Sequence, residues 1–462
     1  MHLAITVVIL TGIAGLFYLD RDPAIRPSTA VWIPTAWMLI VSSRQVSDWL
    51  SLNHGAPLVS RFTQGHLSDA AFFSFLILLG LLVLNYRSRQ VVATLHRNLP
   101  LIVYLTYCAL SLLWSDFPVV GFKRWIKALG SIVMALVILT DRDPESAIRR
   151  FFSRVSFLLL PLSVLFIEVY PSLGTGWDPT GHVIYYFGVM TQKNELGVVS
   201  MLCGLASLSA ILSTLDQRHM PHRSRHFAAH GTVLLMTFWL LYRSDSMTSM
   251  ASLIIACGVM VLAGRPWAAG RRAYLYSIAG GAFVLAVFAT FIDESGVLLR
   301  MIGRNATLTG RTDIWKAVLS FHTNPLVGTG FDSFWLGDRI QTVWRMIGYT
   351  GVAEAHDGYL EIYINLGWIG LVLLIWIILR GYRNIIALHC RDHRAGSARL
   401  AFLTAGLMYS LTEAGFRAET PMWLAILLAI TALAPAYEIA AVEPASHPAP
   451  SQFVRPLGRR IL

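Results

Sequence analysis

The sequence predicts an all-α fold, a polytopic membrane helix bundle of about 12–13 spans with one large external helical loop. Of its 462 residues, 55% are hydrophobic and only 14% are charged, whereas soluble domains carry about 25% charged residues. Apolar blocks of about 16–20 residues recur from end to end, the length that a helix needs to cross the hydrocarbon of a bilayer. These observations exclude a soluble enzyme, a disordered chain, a coiled coil and a disulfide scaffold.

The apolar blocks can be placed in order along the chain. The first block, Leu3 to Leu19, has no basic segment before it and no small-residue cleavage site before Asp20, so we predict a retained span rather than a signal peptide. The second block is short. The candidate spans are residues 3–19, 29–42, 68–85, 99–115, 125–140, 151–170, 196–214, 229–243, 248–263, 273–292, 359–380, 399–414 and 421–438.

The net charge of +11 is explained by the distribution of arginines among the loops. The loops after the first, third and every further odd-numbered span, together with the tail, hold most of the basic loop residues, which predicts that these segments face the cytoplasm. The N-terminus then lies outside and the C-terminus inside. Nucleic acid is not an expected partner. Residues 1–440 form one predicted membrane domain, and residues 441–462, rich in Pro and Ala, form a predicted disordered cytoplasmic tail.

A long external loop, residues 293–357, separates the tenth and eleventh predicted spans. Thr312 is predicted to cap a helix that Asn324-Pro325 ends. We predict two amphipathic helices that lie on the outer membrane surface and cover the bundle; the alternative is a small packed cap without chemistry. The apolar positions are Ile314, Trp315, Val318 and Leu319 in the first helix, and Trp335, Ile340, Val343, Trp344 and Ile347 in the second.

Ionisable residues cluster where this loop enters the eleventh span, in the segment Glu354-Ala-His-Asp-Gly-Tyr-Leu-Glu361. Charged groups at a membrane edge are costly unless they face water or a partner, so the cluster is a candidate site. His356 is a candidate base for a sugar hydroxyl, and Glu361 a candidate to orient an acceptor. The alternatives are a hydrogen-bonded interfacial histidine and a solvated glutamate. Asp357 and Tyr359 are further candidates for substrate binding.

Basic residues on the same side of the membrane are candidates for phosphate binding. Arg311 precedes the first loop helix, where a guanidinium and helix N-terminal amides can bind a phosphate together. Lys193 and Asn194 begin the seventh span, and Lys123 and Arg124 precede the fifth. The alternative for the last pair is a role as membrane-surface anchors.

Most charges lie at span ends or in loops. Glu413, within the twelfth predicted span, is the main exception.

No metal site or disulfide is predicted. Cys108, Cys203 and Cys257 lie within predicted spans and Cys390 lies in a cytoplasmic loop, with no metal-binding spacing. Four histidines in a predicted cytoplasmic loop show no regular ligand spacing either, so zinc is not expected there. They are His219, His222, His226 and His230.

Taken together, several motifs resemble the O-antigen ligase and polysaccharide polymerase family, particularly its exopolysaccharide polymerase branch of the ExoQ type. The resemblance covers residues 29–440. Met247, in the segment Ser244–Ser249, stands where ligases of the family carry an arginine, which favours the polymerase branch. The matching segments are Trp114–Asp116, Phe122–Trp125, Gln192–Gly197, Leu308–Trp315, Asn324–Phe331, His356–Glu361 and Asn365–Gly367.

The resemblance implies a GT-C-like glycosyltransferase of the bacterial inner membrane, active on its periplasmic face, with no cofactor and no metal. Its substrates would be glycans linked to undecaprenyl pyrophosphate, and a chain-length regulator is a possible partner. His356 matches the family's acceptor-activating histidine, and Arg311 matches its pyrophosphate-binding arginine. We therefore expect polymerisation of lipid-linked repeat units. The alternatives are ligation of the finished glycan to lipid A-core or another acceptor, and a polysaccharide flippase or transporter.

Overall fold

In a computed structural model, the structure describes residues 2–21, 28–51, 65–177, 183–216, 222–268, 270–287 and 310–433. The predicted tail, 441–462, lies outside these residues, as do positions 293–309 of the external loop. The helices are α1 His2–Leu19, α2 Trp32–Val41, α3 Val46–Trp49, α4 Leu67–Tyr86, α5 Ser88–Arg97, α6 Leu99–Leu110, α7 Pro118–Leu139, α8 Pro144–Glu168, α9 Pro171–Gly174, α10 Lys193–Asp216, α11 Arg223–Ser244, α12 Met247–Ala263, α13 Arg272–Val287, α14 Arg311–Leu319, α15 Asp338–Ile347, α16 Gly358–His389, α17 His393–Tyr409 and α18 Pro421–Ile430.

The prediction of an all-α polytopic membrane protein is confirmed. Each predicted span overlaps a helix, although the ends of the tenth and the last predicted spans lie outside the described residues. Within the described ranges five helices are long and apolar enough to cross a membrane: α1, α4, α8, α10 and α16. Shorter apolar helices include α2 and α18, at 10 residues each. The number of spans stays a prediction. In addition, Thr175–Trp177 (β1) and Ile184–Tyr186 (β2) form a small antiparallel hairpin between α9 and α10.

The core of the bundle is built around α18, in which every residue is buried. Helices α7, α8, α10 and α17 supply most of the other buried apolar side chains of this cluster. Large apolar side chains remain exposed on the outer helices, for example Leu78 at 60% on α4 and Ile254 at 63% on α12. Such surfaces are what lipid-facing helices present, because lipid tails replace water as the solvent there.

The external loop has its own apolar core, separate from that of the bundle. Ile314 and Val318 of α14 pack with Val343 of α15 and with Ile364 at the start of α16. Helices therefore occur at both predicted stretches, but their apolar faces bury one another rather than lying on lipid. Thr312 is not the cap, because α14 begins at Arg311 and Gly310 occupies the cap position.

Helix α16 is broken at Gly367, whose φ of +64° and ψ of −165° are not helical. The loop segment Asn324–Gly330 fills the break: Thr329 N donates to Ile364 O at 3.1 Å, and Trp368 N donates to Pro325 O at 2.9 Å. A Cβ at Gly367 would lie 2.2 Å from the Leu326 carbonyl. The contact thus requires glycine, and it satisfies backbone groups that the break leaves without helical partners.

Candidate functional site

His356 is fixed by the start of α16. Asp357 is the N-cap of that helix, and its side chain accepts hydrogen bonds from Tyr359 N at 2.8 Å and Leu360 N at 2.9 Å. Gly358 N donates to Ser410 O at 2.8 Å and so attaches the segment to the end of α17. His356 itself has a φ of +49°, a conformation that non-glycine residues adopt rarely and that is common at functional sites.

Two carboxylates surround one nitrogen of His356. Its Nδ1 lies 3.1 Å from Glu354 Oε1 and 3.1 Å from Glu413 Oε2. Burial would lower the pKa of His356, but the charge of Glu354 and the hydrogen bond and charge of Glu413 outweigh it and raise the pKa above 6.5. With Nδ1 bound to carboxylates, Nε2 is the nitrogen that can exchange a proton with a ligand.

Glu413 joins helices α10 and α14 to His356. It lies in the loop between α17 and α18, and only 2% of the residue is exposed. Its Oε1 accepts a hydrogen bond from Arg311 of α14 and another from Asn194 Nδ2 of α10, the latter at 2.9 Å. Asn194, Arg311 and His356 are 45 or more positions apart in the chain, yet all three contact the Glu413 carboxylate. From the sequence, Glu413 was notable only as a charged residue within an apolar stretch.

Arg311 is the first residue of α14. Gly310 before it has a φ of +76°, and no side chain caps the helix. Within the part of the chain that the structure describes, no capping side chain accepts from the first amides of α14, which lie beside a guanidinium with five N–H donors. This combination is suited to an anion such as a phosphate.

The ion pairs continue from Glu354 towards α7. Arg417 Nη1 lies 3.8 Å from Glu354 Oε2, and Arg417 Nη2 lies 3.3 Å from Asp332 Oδ1. Arg124, on α7, lies 3.5 Å from Asp332 Oδ2. Arg124, Asp332, Arg417 and Glu354, together with His356, Glu413, Arg311 and Asn194, form what we call the charged network. The structure thus connects Arg124 to His356 through intermediate charges.

Two predicted lysines lie outside this network. Lys193 begins α10 beside Asn194; its Nζ is 3.7 Å from the exposed Asp245 and 4.5 Å from the ring centre of Tyr185. A weak, exposed ion pair leaves its charge accessible to an anion. Lys123 is exposed on the first turns of α7.

Glu361 has different contacts from those predicted. It is buried, and its carboxylate accepts hydrogen bonds from Trp335 Nε1 at 3.0 and 3.1 Å and from Ala355 N at 2.9 Å. Asn365 Nδ2 donates to Glu361 Oε1 at 3.2 Å. The interpretation as a solvated glutamate is wrong. Tyr359 is likewise engaged within the protein, since its hydroxyl donates to Leu407 O at 3.3 Å.

Replacing Glu361 by alanine should lower the free energy of unfolding by about 3 kcal/mol, because buried donors of Trp335 and Ala355 would lose their acceptor. Thermal unfolding of the purified protein in detergent measures this effect. Lost activity with an unchanged melting temperature would contradict the structural role and favour the predicted catalytic one.

Two clusters have metal-compatible spacing within the described residues. Ligating atoms of Glu354, His356 and Glu413 lie within 4.8 Å of one another, as do those of Asp20, His226 and His230. The structure therefore corrects one sequence interpretation: His226 and His230 lie inside α11, not in a loop, and both face a carboxylate.

The fold and the site define a class: a multi-pass, all-α membrane protein whose long loop, residues 293–357, supplies a histidine, a glutamate and an arginine to a site that Glu413 completes. Residues 232–375 match the sequence model of a family described as O-antigen ligase. The chain is also 23% identical, over 356 residues, to the exopolysaccharide production protein ExoQ of Rhizobium meliloti (strain 1021), with 75% of this chain and 77% of that protein covered. The chain is thus similar to the O-antigen ligase family and to ExoQ, which confirms the predicted resemblance.

Proposed function

We propose that this protein polymerises oligosaccharide repeat units carried on undecaprenyl pyrophosphate into an exopolysaccharide or O-antigen chain, at the periplasmic face of the inner membrane. The two matches support the coarser statement, a membrane glycosyltransferase of the O-antigen ligase or polymerase type that acts on lipid-linked glycans in exopolysaccharide production. Polymerisation is favoured by the resemblance of the motifs to the polymerase branch, with Met247 where ligases of the family carry an arginine.

The observation that carries the proposal is the contact of His356 Nδ1 with Glu354 and Glu413. Carboxylates that accept a hydrogen bond from one imidazole nitrogen orient the ring and stabilise its protonated form, as in other histidine bases. Nε2 would then accept the proton of the acceptor hydroxyl. Because His356 is only partly exposed, this transfer would take place at the edge of the protein rather than in bulk water.

In the proposed reaction, the acceptor hydroxyl oxygen attacks the anomeric carbon of the donor glycan. The bond between that carbon and the pyrophosphate oxygen breaks, and the proton moves to His356. Undecaprenyl pyrophosphate departs with the electron pair, and attack from the opposite side inverts the anomeric configuration. Product sugars that retain the donor configuration would contradict this in-line step.

Arg311 and Lys193 are placed to stabilise the departing pyrophosphate. Arg311 uses one nitrogen on Glu413, and its other N–H groups, with the uncapped amides of α14, remain suited to phosphate oxygens. Lys193 would add a mobile charge from α10. Such preorganised donors act most strongly where negative charge develops in the transition state.

The other predicted site residues receive supporting roles in this proposal. Asp357 begins α16 and so positions His356, while Glu361 and Tyr359 hold the same segment from inside the protein. Arg124 acts through Asp332 and Arg417, and Lys123 is assigned to the membrane surface. The flippase or transporter alternative expects ionisable groups in mid-span, whereas the charged network lies at helix starts and in loops.

The ligase remains the second candidate, because the matching family is described as O-antigen ligase. A deletion strain separates the two. Loss of a polymerase should leave single repeat units on undecaprenyl pyrophosphate, whereas loss of a ligase should leave long lipid-linked chains. Gel separation of the lipid-linked glycans, with the wild-type gene restored as the control, gives the answer; long chains would overturn polymerisation.

Polymer formation should fall at acidic pH, because the neutral form of His356 is the base and its pKa is raised above 6.5. Activity is then present above the raised pKa and is lost as the pH falls through it. Glu354→Gln should move the midpoint of this loss to lower pH, since the Glu354 charge is the first cause that raises the pKa. The pH profile of polymer formation measures the midpoint. Glu168→Gln, at a largely exposed ion pair with Arg243, is the matched control, and an equal shift in both variants would contradict the assignment.

Activity should survive removal of metals. We propose that transfer needs no metal at Glu354, His356 and Glu413, because the Arg311 guanidinium already supplies a positive charge to Glu413. Membranes treated with EDTA and then dialysed should keep at least about half of their polymerisation rate. Removal of a catalytic group would instead lower the rate by about two to four orders of magnitude. Loss of activity that Mg²⁺ or Mn²⁺ restores would show that this trio binds a catalytic metal.

A further inference from the structure

A second cluster of ligating side chains lies at the opposite end of the bundle from His356. Asp20 follows the last residue of α1, and His226 and His230 are one turn apart on α11. All three are buried, with 6%, 7% and 4% of each residue exposed. Two histidines at positions i and i+4 of a helix present their rings on one face, a common arrangement in metal sites.

We propose that Asp20, His226 and His230 bind one divalent transition-metal ion, Zn²⁺ in the first instance. His226 Nδ1 lies 3.0 Å and His230 Nε2 lies 3.2 Å from the same carboxylate oxygen, Asp20 Oδ1. In a tetrahedral zinc site with bonds of about 2.0 Å, neighbouring ligand atoms are about 3.3 Å apart. Two of the three distances between ligand atoms are therefore already close to those of a zinc site, and all three ligand atoms lie within 4.8 Å of one another.

Asp20 also contacts an arginine. Arg150 Nη1 lies 2.9 Å from Asp20 Oδ2, the oxygen that the imidazoles do not contact. Because Arg150 contacts Oδ2 and the imidazoles contact Oδ1, Oδ1 remains available as the metal ligand and the carboxylate is held in one orientation.

The surroundings supply the remaining features of a metal site. Ser207 Oγ lies 3.3 Å from His230 Nδ1, the ring nitrogen that does not face Asp20, and such a partner orients a metal-binding imidazole. A cavity of about 60 Å³, lined by Ser146, Ser153, Ser156 and Ser207, adjoins the cluster. This is room for about one or two water molecules, and one of them would complete a four-coordinate site.

The ion would add a polar link to the apolar contacts that already hold the end of α1. There Leu16 is buried and Phe17 packs edge-on against Phe157 of α8. Asp20 joins that end to α8 through Arg150 and to α11 through the two histidines. A metal in this position is a structural link between α1 and α11, distinct from the chemistry at His356.

Metal analysis of the purified full-length protein tests the site. The protein is expressed with an affinity tag that lacks histidine, and bound metals are quantified by mass spectrometry. We expect about one zinc ion per chain in the wild type and a loss of at least about fivefold in His230→Gln. His222→Asn, at the start of the same helix, is the matched control and should keep the zinc.

Added metal provides the second measurement, which does not depend on how well a variant folds. After chelation, the wild-type protein should lose thermal stability and regain it with Zn²⁺, and Co²⁺ should give the visible absorption of a tetrahedral nitrogen and oxygen site. If another metal ion were bound at about one per chain, the site would be supported and the identity of its metal would change from zinc to that ion. Absence of bound metal in the wild type together with no response to Zn²⁺ or Co²⁺ would overturn the proposal and leave an ion-paired hydrogen-bond cluster.

Discussion

Replacing His356 by alanine should reduce polymer formation by about two to four orders of magnitude, the usual contribution of a positioned general base. The reason is geometric: the carboxylates of Glu354 and Glu413 both contact Nδ1 and direct the other ring nitrogen to the acceptor. A membrane assay with purified lipid-linked repeat units measures the rate. Single units should accumulate in cells that carry the variant.

The His356 variant needs a control for insertion and folding. His322→Ala removes an exposed histidine from the same external loop and should leave the rate unchanged. Equal protein amounts in the membrane and equal melting temperatures would make the comparison direct. Full polymer output from a well-folded His356→Ala protein would end the proposal of catalysis at this site.

Replacing Arg311 by alanine should slow the reaction by about two to three orders of magnitude, equivalent to 3–4 kcal/mol of the barrier. Arg311→Lys should recover only a small part, because a lysine keeps the charge but lacks the planar set of donors that binds two phosphate oxygens. The rate of single turnover with lipid-linked donor measures both variants. The affinity for undecaprenyl pyrophosphate should fall in parallel.

Arg311 also contacts Glu413, so a structural explanation must be excluded. Lys316→Ala, an exposed basic residue on the same helix, is the matched control and should behave as the wild type. Asn194→Ala removes another donor to Glu413 without removing charge and should cost much less activity than Arg311→Ala. Equal losses in these two variants would indicate that Arg311 acts only by holding Glu413.

The helices could be predicted because their signal is local. Apolar blocks, Asp357 before α16 and proline at the start of α7 and α18 can each be found within a few residues of sequence. His356 and Arg311 could also be predicted as site residues, because ionisable residues at a membrane edge are unusual in apolar surroundings. The sequence motifs then supplied the order and spacing that no single residue provides.

The role of Glu413 could not be predicted in the same way. It meets Asn194 across 219 positions of sequence and His356 across 57, and such contacts depend on how α10, α16 and α17 pack. The only available signal was a lone acid in an apolar stretch. Glu361 shows the opposite case. Its closeness to His356 in sequence suggested a role in acceptor binding, whereas in the structure its side chain is directed towards Trp335.

The apolar faces of α14 and α15 were found correctly but given the wrong partner. A helix with one apolar face needs something to cover it, and periodicity alone does not distinguish lipid from another helix. Here Trp335 and Phe334 lie just before α15 and complete a core between the two helices. The pairing could be recognised only in three dimensions.

The break at Gly367 also divides α16 into two parts with different surroundings. Beyond it, Trp368, Val372 and Leu379 are 56%, 62% and 58% exposed and form an apolar stripe on the outside of the bundle. Before it, most of Gly358–Leu366 is buried within the protein. One glycine therefore separates the segment that carries His356 from the outward-facing segment, and a side chain at position 367 would disturb both at once.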